Sequence, residues 1–254
     1  MNSTFKVVFN KARGTLMVAN ELTSSVQKKG VSLVAATAAV LTFLTVPAVN
    51  AANIADQTFE NQTTSTSGGA LTLNKDEANT ISGSTFTKNT AAMKGGAVVI
   101  EKDTVITNST FDSNSQTSTA TDTAGGAVFI DGAKVEISGS TSFTQNTGFL
   151  GGAVNVRNGS KLSITDSVFS GNTANGFGGA ISDYEDKKGA VQNELISIKR
   201  TVFKNNRDSK GGGALHVVNT RAIDITPFGT PSSPGSDSAS FGTKRNVCQH
   251  LRSG

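Results

Sequence analysis

The chain has 254 residues, with 27 glycines, 14 phenylalanines, no tryptophan, one tyrosine and four prolines. That composition holds one or two domains of short strands and turns rather than long amphipathic helices. The formal charge of +4 sits at the ends: residues 1–30 (Lys6, Lys11, Arg13, Lys28 and Lys29 against Glu21) carry +4, residues 226–254 (Lys244, Arg245 and Arg252 against Asp237) +2, and residues 31–225 are left at −2. A nucleic-acid-binding body is excluded on that balance, and the single cysteine, Cys248, excludes a disulfide framework.

From the amino terminus, MNSTFKVVFNKARGTLMVANELTSSVQKKG is a basic segment, and VSLVAATAAVLTFLTVPAVNA an apolar one. The helix-breaking Pro47 then precedes small residues at Val49 and Ala51. This is the order of a secretory signal, with cleavage expected between Ala51 and Ala52 and the signal itself helical. The apolar run is long enough for a membrane span, but its Ala and Thr content and the small-x-small site favour cleavage. The basic segment is unusually long. Met1-Asn2, Phe5-Lys6-Val7-Val8-Phe9-Asn10, the Lys11-Ala12-Arg13-Gly14 core, Val18 and Glu21-Leu22 resemble the extended signal peptide of type V secreted proteins, the autotransporters of Gram-negative bacteria. The resemblance implies inner-membrane secretion machinery as a partner.

The next 170 or so residues repeat one phrase. Gly-Gly-Ala falls at Gly68-Gly69-Ala70, Gly95-Gly96-Ala97, Gly125-Gly126-Ala127, Gly151-Gly152-Ala153, Gly178-Gly179-Ala180 and Gly212-Gly213-Ala214. Successive units are 27, 30, 26, 27 and 34 residues apart, and each is followed by Leu, Val or Ile. Phe-x-x-Asn recurs in step, as Phe86/Asn89, Phe111/Asn114, Phe143/Asn146, Phe169/Asn172 and Phe203/Asn206. A degraded first copy is Phe59-Glu60-Asn61-Gln62, with Asn one place early. Such a period with β-type composition predicts an all-β fold, a right-handed parallel β-helix of about six coils.

In that fold a residue repeated in sequence becomes a column in space. Phe fills the interior with stacked rings, Asn satisfies turn backbone and bonds to the Asn above and below, and Gly-Gly permits a sharp bend and close backbone approach. The glycine, phenylalanine and asparagine positions are therefore expected to be structural, with no catalytic, cofactor or metal role. Gly-Gly-Ala-(Ile/Leu/Val) paired with Phe-x-x-Asn resembles the repeats of chlamydial polymorphic membrane proteins and of many autotransporter adhesin passengers. The resemblance implies a passenger displayed outside the outer membrane, for adhesion or self-association.

Two insertions break the spacing, QTSTATDTA (116–124) and SDYEDKKGAVQNE (182–194), the latter holding Tyr184 among mixed charges. They are expected as surface loops. Enzyme chemistry finds no strong pattern. Asp183, Glu185 and Asp186 with Lys187 and Lys188 read as a charged loop, and His216 and His250 have no metal or triad spacing around them. PGSDSASFG (234–242) has its Gly, Asp and Ser in the wrong order for a serine-protease context.

Residues 226–254 hold three of the four prolines and the only Cys, drop the repeat and supply no barrel strands. The expected plan is a signal over 1–51, β-helix repeats over 52–225 and an irregular tail over 226–254, disordered or out-of-frame or else a linker cut short, the whole a remnant of a longer passenger retained in the periplasm after cleavage. Its expected role is adhesin-like interaction with a host or bacterial surface ligand, or with itself, without catalysis, cofactor or nucleic acid. The alternatives are a polysaccharide-active β-helix enzyme and a purely structural stalk.

Overall fold

The computed structural model describes residues 5–10, 15–20, 31–32, 52–226 and 239–241, apart from 75–77, 121, 186–188 and 212, with side chains described within 53–226. Residues 1–30 form one unit. In it Phe5–Asn10 pairs antiparallel with Thr15–Asn20, Phe5 opposite Asn20 and Asn10 opposite Thr15. Where a helix was expected, this part of the leader is a β-hairpin: FKVVFN is rich in β-branched and aromatic residues that favour a pleated strand. Residues 33–51, which hold most of the apolar run, and Ala51 of the cleavage site lie outside the described residues; Ala52 opens a strand.

The second unit is a parallel β-solenoid whose coils contribute strands to four sheets. Sheet A is built from Ala52–Ala55, Asn79–Ser82, Thr104–Thr107, Lys134–Ser138, Lys161–Thr165, Asn193–Lys199 and Thr220–Thr226, with Val31–Ser32 beside the first. Sheet B stacks Thr58–Glu60, Thr85–Thr87, Thr110–Asp112, Ser142–Thr144, Val168–Ser170 and Val202–Lys204. The two-residue strands of sheet C run from Thr63–Thr64 to Arg207–Asp208. Sheet D follows each Gly-Gly-Ala: Leu71–Leu73, Val98–Ile100, Val128–Asp131, Val154–Arg157, Ile181–Ser182 and Leu215–Val217. A seventh strand, Ala239–Phe241, pairs parallel with Leu215–Val217, so the tail that was expected to be irregular returns to sheet D.

Registers carry the repeat through space. On sheet A, Ile54, Ile81, Ile106, Ile137, Ile164, Ile198 and Ile225 lie one above another. On sheet B, Phe59, Phe86, Phe111, Phe143, Phe169 and Phe203 form one stack, with ring centroids 4.6–5.1 Å apart and planes within 13°. The spacing equals the distance between hydrogen-bonded strands, so the backbone ladder sets the ring stack. With the Val, Ile and Leu of sheet D these columns fill a single interior.

The Asn column closes the corner after sheet B. Asn89, Asn114, Asn146, Asn172 and Asn206 are buried. Each Oδ1 from Asn114 onward accepts both the backbone N–H and the Nδ2 of the Asn one coil earlier, at 2.9–3.1 Å. Each Nδ2 also donates to the carbonyl of a Phe, as Asn114 does to Phe86 at 2.9 Å. In the first coil Gln62, not Asn61, stands in this column, its N–H donating to Asn89 Oδ1 at 3.0 Å.

The two glycines of each pair have separate jobs. The first adopts left-handed backbone, as at Gly95 (φ 57°) and Gly151 (φ 67°). The second lies against the next coil: a Cβ on Gly126 would stand 1.9 Å from the Gly152 carbonyl oxygen, and one on Gly152 would stand 2.1 Å from that of Gly179.

Candidate functional site

Outward positions on a solenoid strand ordinarily meet water, but one column on sheet D does not. Val99, Phe129, Asn155, Ser182 and His216 are in register and point away from the main interior, yet all are buried. The turns that lead into each Gly-Gly cover them. Val99, Ala124, Phe129 and Leu150 close into a second, smaller apolar core on the outside of sheet D. Insertion 116–124 ends in this core through Ala124, and Gln116 pins it by accepting from Phe149 N–H at 2.9 Å.

Charged groups line this outer core. The Lys94 ammonium stands 4.6 Å over the Phe129 ring and 3.9 Å from the Asp131 carboxylate. The Arg157 guanidinium lies 5.5 Å from the same ring and donates from Nε to Asn155 Oδ1 at 3.0 Å. Burial pulls the Arg157 pKa below its ordinary value, against the opposing pull of Glu185, Asp131 and Asp122.

At its far end the outer core opens. Phe149, Phe177 and Tyr184 pack against it but stay half-exposed. The Phe177 ring lies 4.4 Å from His216, nearly parallel, and 4.8 Å from Tyr184, tilted by 38°. Lys210, exposed in the following coil, holds its ammonium 5.5 Å from Phe149 and 5.8 Å from Phe177. Asp208 is turned to the backbone, accepting from Gly178 N–H at 2.9 Å and Gly211 N–H at 3.0 Å. Burial lowers the His216 pKa, opposed by Asp208. The result is a shelf of aromatic rings beneath an exposed cation, an arrangement suited to stacking and charge.

Of the residues that the sequence marks, the repeated Gly, Phe and Asn positions serve the interior and the corners, apart from Gly212, which lies outside the described residues. The supposed charged loop is split. Asp186, Lys187 and Lys188 lie outside the described residues, whereas Asp183 is fully buried in the inward column of sheet D, next after Val156. Its carboxylate accepts from Val218 N–H (2.6 Å), Asn219 N–H (2.8 Å) and the Thr220 hydroxyl (2.7 Å), so it fastens the start of the following coil. Burial pushes its pKa up to about 6 despite those donors. His216 belongs to the shelf; His250 lies outside the described residues. Among the described residues no three His, Cys, Asp or Glu side chains are placed to hold a metal ion. Phe129, Phe149, Phe177 and Lys210 escaped the sequence reading. For Phe149 and Phe177 the signal was an aromatic in the turn just before Gly-Gly, as in FLGG (149–152) and GFGG (176–179); Phe129 and Lys210 had none.

Comparison with known proteins agrees with this architecture. Residues 1–50 match the family described as the Extended Signal Peptide of Type V secretion system. Residues 83–101 and 166–183 match the Chlamydia polymorphic membrane protein repeat. Over 108 residues, 38% of the chain, it is 38% identical to the probable autotransporter YfaL of Escherichia coli (strain K12), of which it spans 8%. No solved structure matches. The leader addresses the chain to the secretion machinery and makes it an exported, envelope-associated protein. Leader, repeats and relative each liken part of the chain to the type V autotransporters, and together they support a passenger-type protein.

Proposed function

We propose that the chain is an adhesin-like passenger segment that acts by binding a ligand on a host or bacterial surface, and catalyses no reaction. One observation carries the reading. The residues that repeat from coil to coil face the interior or a corner, while those that differ between coils occupy outward positions of the sheets, the outside of sheet D among them, and the 182–194 insertion. A scaffold of constant interior and varied exterior suits recognition. The Asp183 carboxylate, a natural candidate for acid–base work, is committed to three donors of its own chain. The test is attachment of the purified full chain to cell surfaces, with residues 184–192 replaced by a Gly-Ser segment of equal length. Attachment is expected to fall while the circular dichroism of the solenoid stays unchanged. Undiminished attachment, or new reducing ends released from a glycan mixture, would refute the proposal.

A further inference from the structure

The net charge of the repeat body conceals a gradient. The first coil, residues 53–73, contains Asp56 and Glu60 and no Lys or Arg. Residues 195–226 contain Lys199, Arg200, Lys204, Arg207, Lys210 and Arg221 against only Asp208 and Asp224. Two of those cations are paired, Lys199 with Asp224 at 2.9 Å and Arg200 with Asp166 at 2.6 Å. Asp208 is held by backbone donors. Lys204, Arg207, Lys210 and Arg221 are exposed. The basic end of the solenoid is therefore the end that carries the aromatic shelf.

The shelf itself is more open than packing requires. Phe129 and Leu150 already close the outer core. Phe149 and Phe177, on successive coils, leave ring surface in water beside them, an arrangement that buried packing alone does not explain. Their rings present apolar faces, and Lys210 hovers over both. Arg207, three residues before Lys210, is exposed on the adjoining sheet C. Flat apolar faces next to unpaired positive charge match one ligand chemistry well: a pyranose ring, which stacks through its C–H face, bearing a carboxylate that meets the ammonium.

We propose that Phe149, Phe177 and Tyr184, with Lys210 and Arg207 at their edge, form a binding site for an anionic polysaccharide built of uronic-acid-like sugars. The inference rests on the surface-interaction reading and names its ligand class. Sugar rings lie on Phe149 and Phe177, Lys210 swings from the rings to a carboxylate, and Arg207 takes the next one. His216, stacked on Phe177, keeps that ring in place from below.

The experiment is affinity electrophoresis of the full chain through gels containing polygalacturonate, with uncharged dextran as the comparison. Polygalacturonate is expected to retard the chain and dextran is not. Lys210→Glu should weaken retardation about fivefold, whereas Lys204→Glu, which makes the same charge reversal in the same coil on sheet B, should leave it nearly unchanged. Phe149→Ser should weaken it with the thermal midpoint of Lys210→Glu and the parent as folding controls. Absence of retardation overturns the inference. So does an equal loss in Lys204→Glu and Lys210→Glu, which marks a diffuse charge effect, or equal competition by polyglutamate, which marks an acidic peptide site. Cell attachment measured in parallel separates the two readings. A chain that attaches to cells but ignores polygalacturonate loses only this inference, and one that binds polygalacturonate but no cell surface loses the adhesin-like role.

Discussion

The asparagine column shows how much depends on one side chain when coils are stacked. Truncating Asn146 to Ala removes the acceptor for Asn114 N–H and Nδ2 and the donor to the Phe111 carbonyl, all at fully buried positions. Each stranded buried group costs about 1–3 kcal/mol, so Asn146→Ala should lower stability by roughly 3 kcal/mol or more in urea unfolding. A second residue-scale requirement is hidden in the turns. The residue before each column Asn, or before Gln62, has positive φ: Asn61 (56°), Lys88 (53°), Ser113 (55°), Gln145 (52°), Gly171 (66°) and Asn205 (56°). Non-glycine residues are strained there by about 1–2 kcal/mol, partly offset by the entropy glycine loses on folding. Lys88→Gly is thus expected to stabilise the chain by about 0.5–1 kcal/mol, seen as a higher urea midpoint with unchanged slope. The sequence hides this corner because Lys, Ser and Gln have no preference for left-handed backbone; stacking of the coils imposes the angle, and only Gly171 and the two Asn advertise it.

Among the elements, the strands of sheets A, B and D were legible because each buries one face and alternates, or follows Gly-Gly-Ala without fail. Asp183 was not. A charged letter in a charged run, SDYEDKKG, reads as solvated, and nothing local says that the preceding strand Ile181–Ser182 carries it into the apolar column of sheet D. Its position gives the terminal coils a pH dependence. The carboxyl has a pKa of about 6 in the folded chain against an ordinary value of 3.8. Between those values the folded chain holds a proton that the unfolded chain has lost, so stability is highest below about pH 4 and falls as pH rises through 6. The full difference is on the order of 3 kcal/mol. Asp166, whose pKa is lowered by its hydrogen bond from Arg200, acts in the opposite sense and below its ordinary value, outside this window. Hydrogen exchange of residues 215–226 should therefore speed up from pH 4.5 to pH 7, after correction for intrinsic rates. In Asp183→Asn, whose amide cannot ionise, the same residues should lose that trend. The outer core was equally hidden, because Phe129 occupies an outward position that alternation assigns to solvent, and only the overlying turns make it interior.

On the scale of the whole molecule, stability is a sum over neighbouring coils, since each coil touches only the one before and the one after through four ladders. The most expensive place to damage such a stack is its middle. Phe143→Ala, between two stacked neighbours, should cost about 3–5 kcal/mol, and Phe203→Ala, which is half-exposed at the end of the column, clearly less, by comparison of urea midpoints. The ladders also settle how the molecule answers to tension. Their hydrogen bonds run along the stack, while the covalent chain winds around it, so a pull on the two termini loads the outermost coil alone. Stretched between a bead and a surface, the chain should yield in a series of rips, each freeing one repeat of 26 to 34 residues. That is roughly 90–120 Å of new contour per event at full extension. A tether that lengthens by instalments keeps its remaining coils, and whatever they hold, intact under shear.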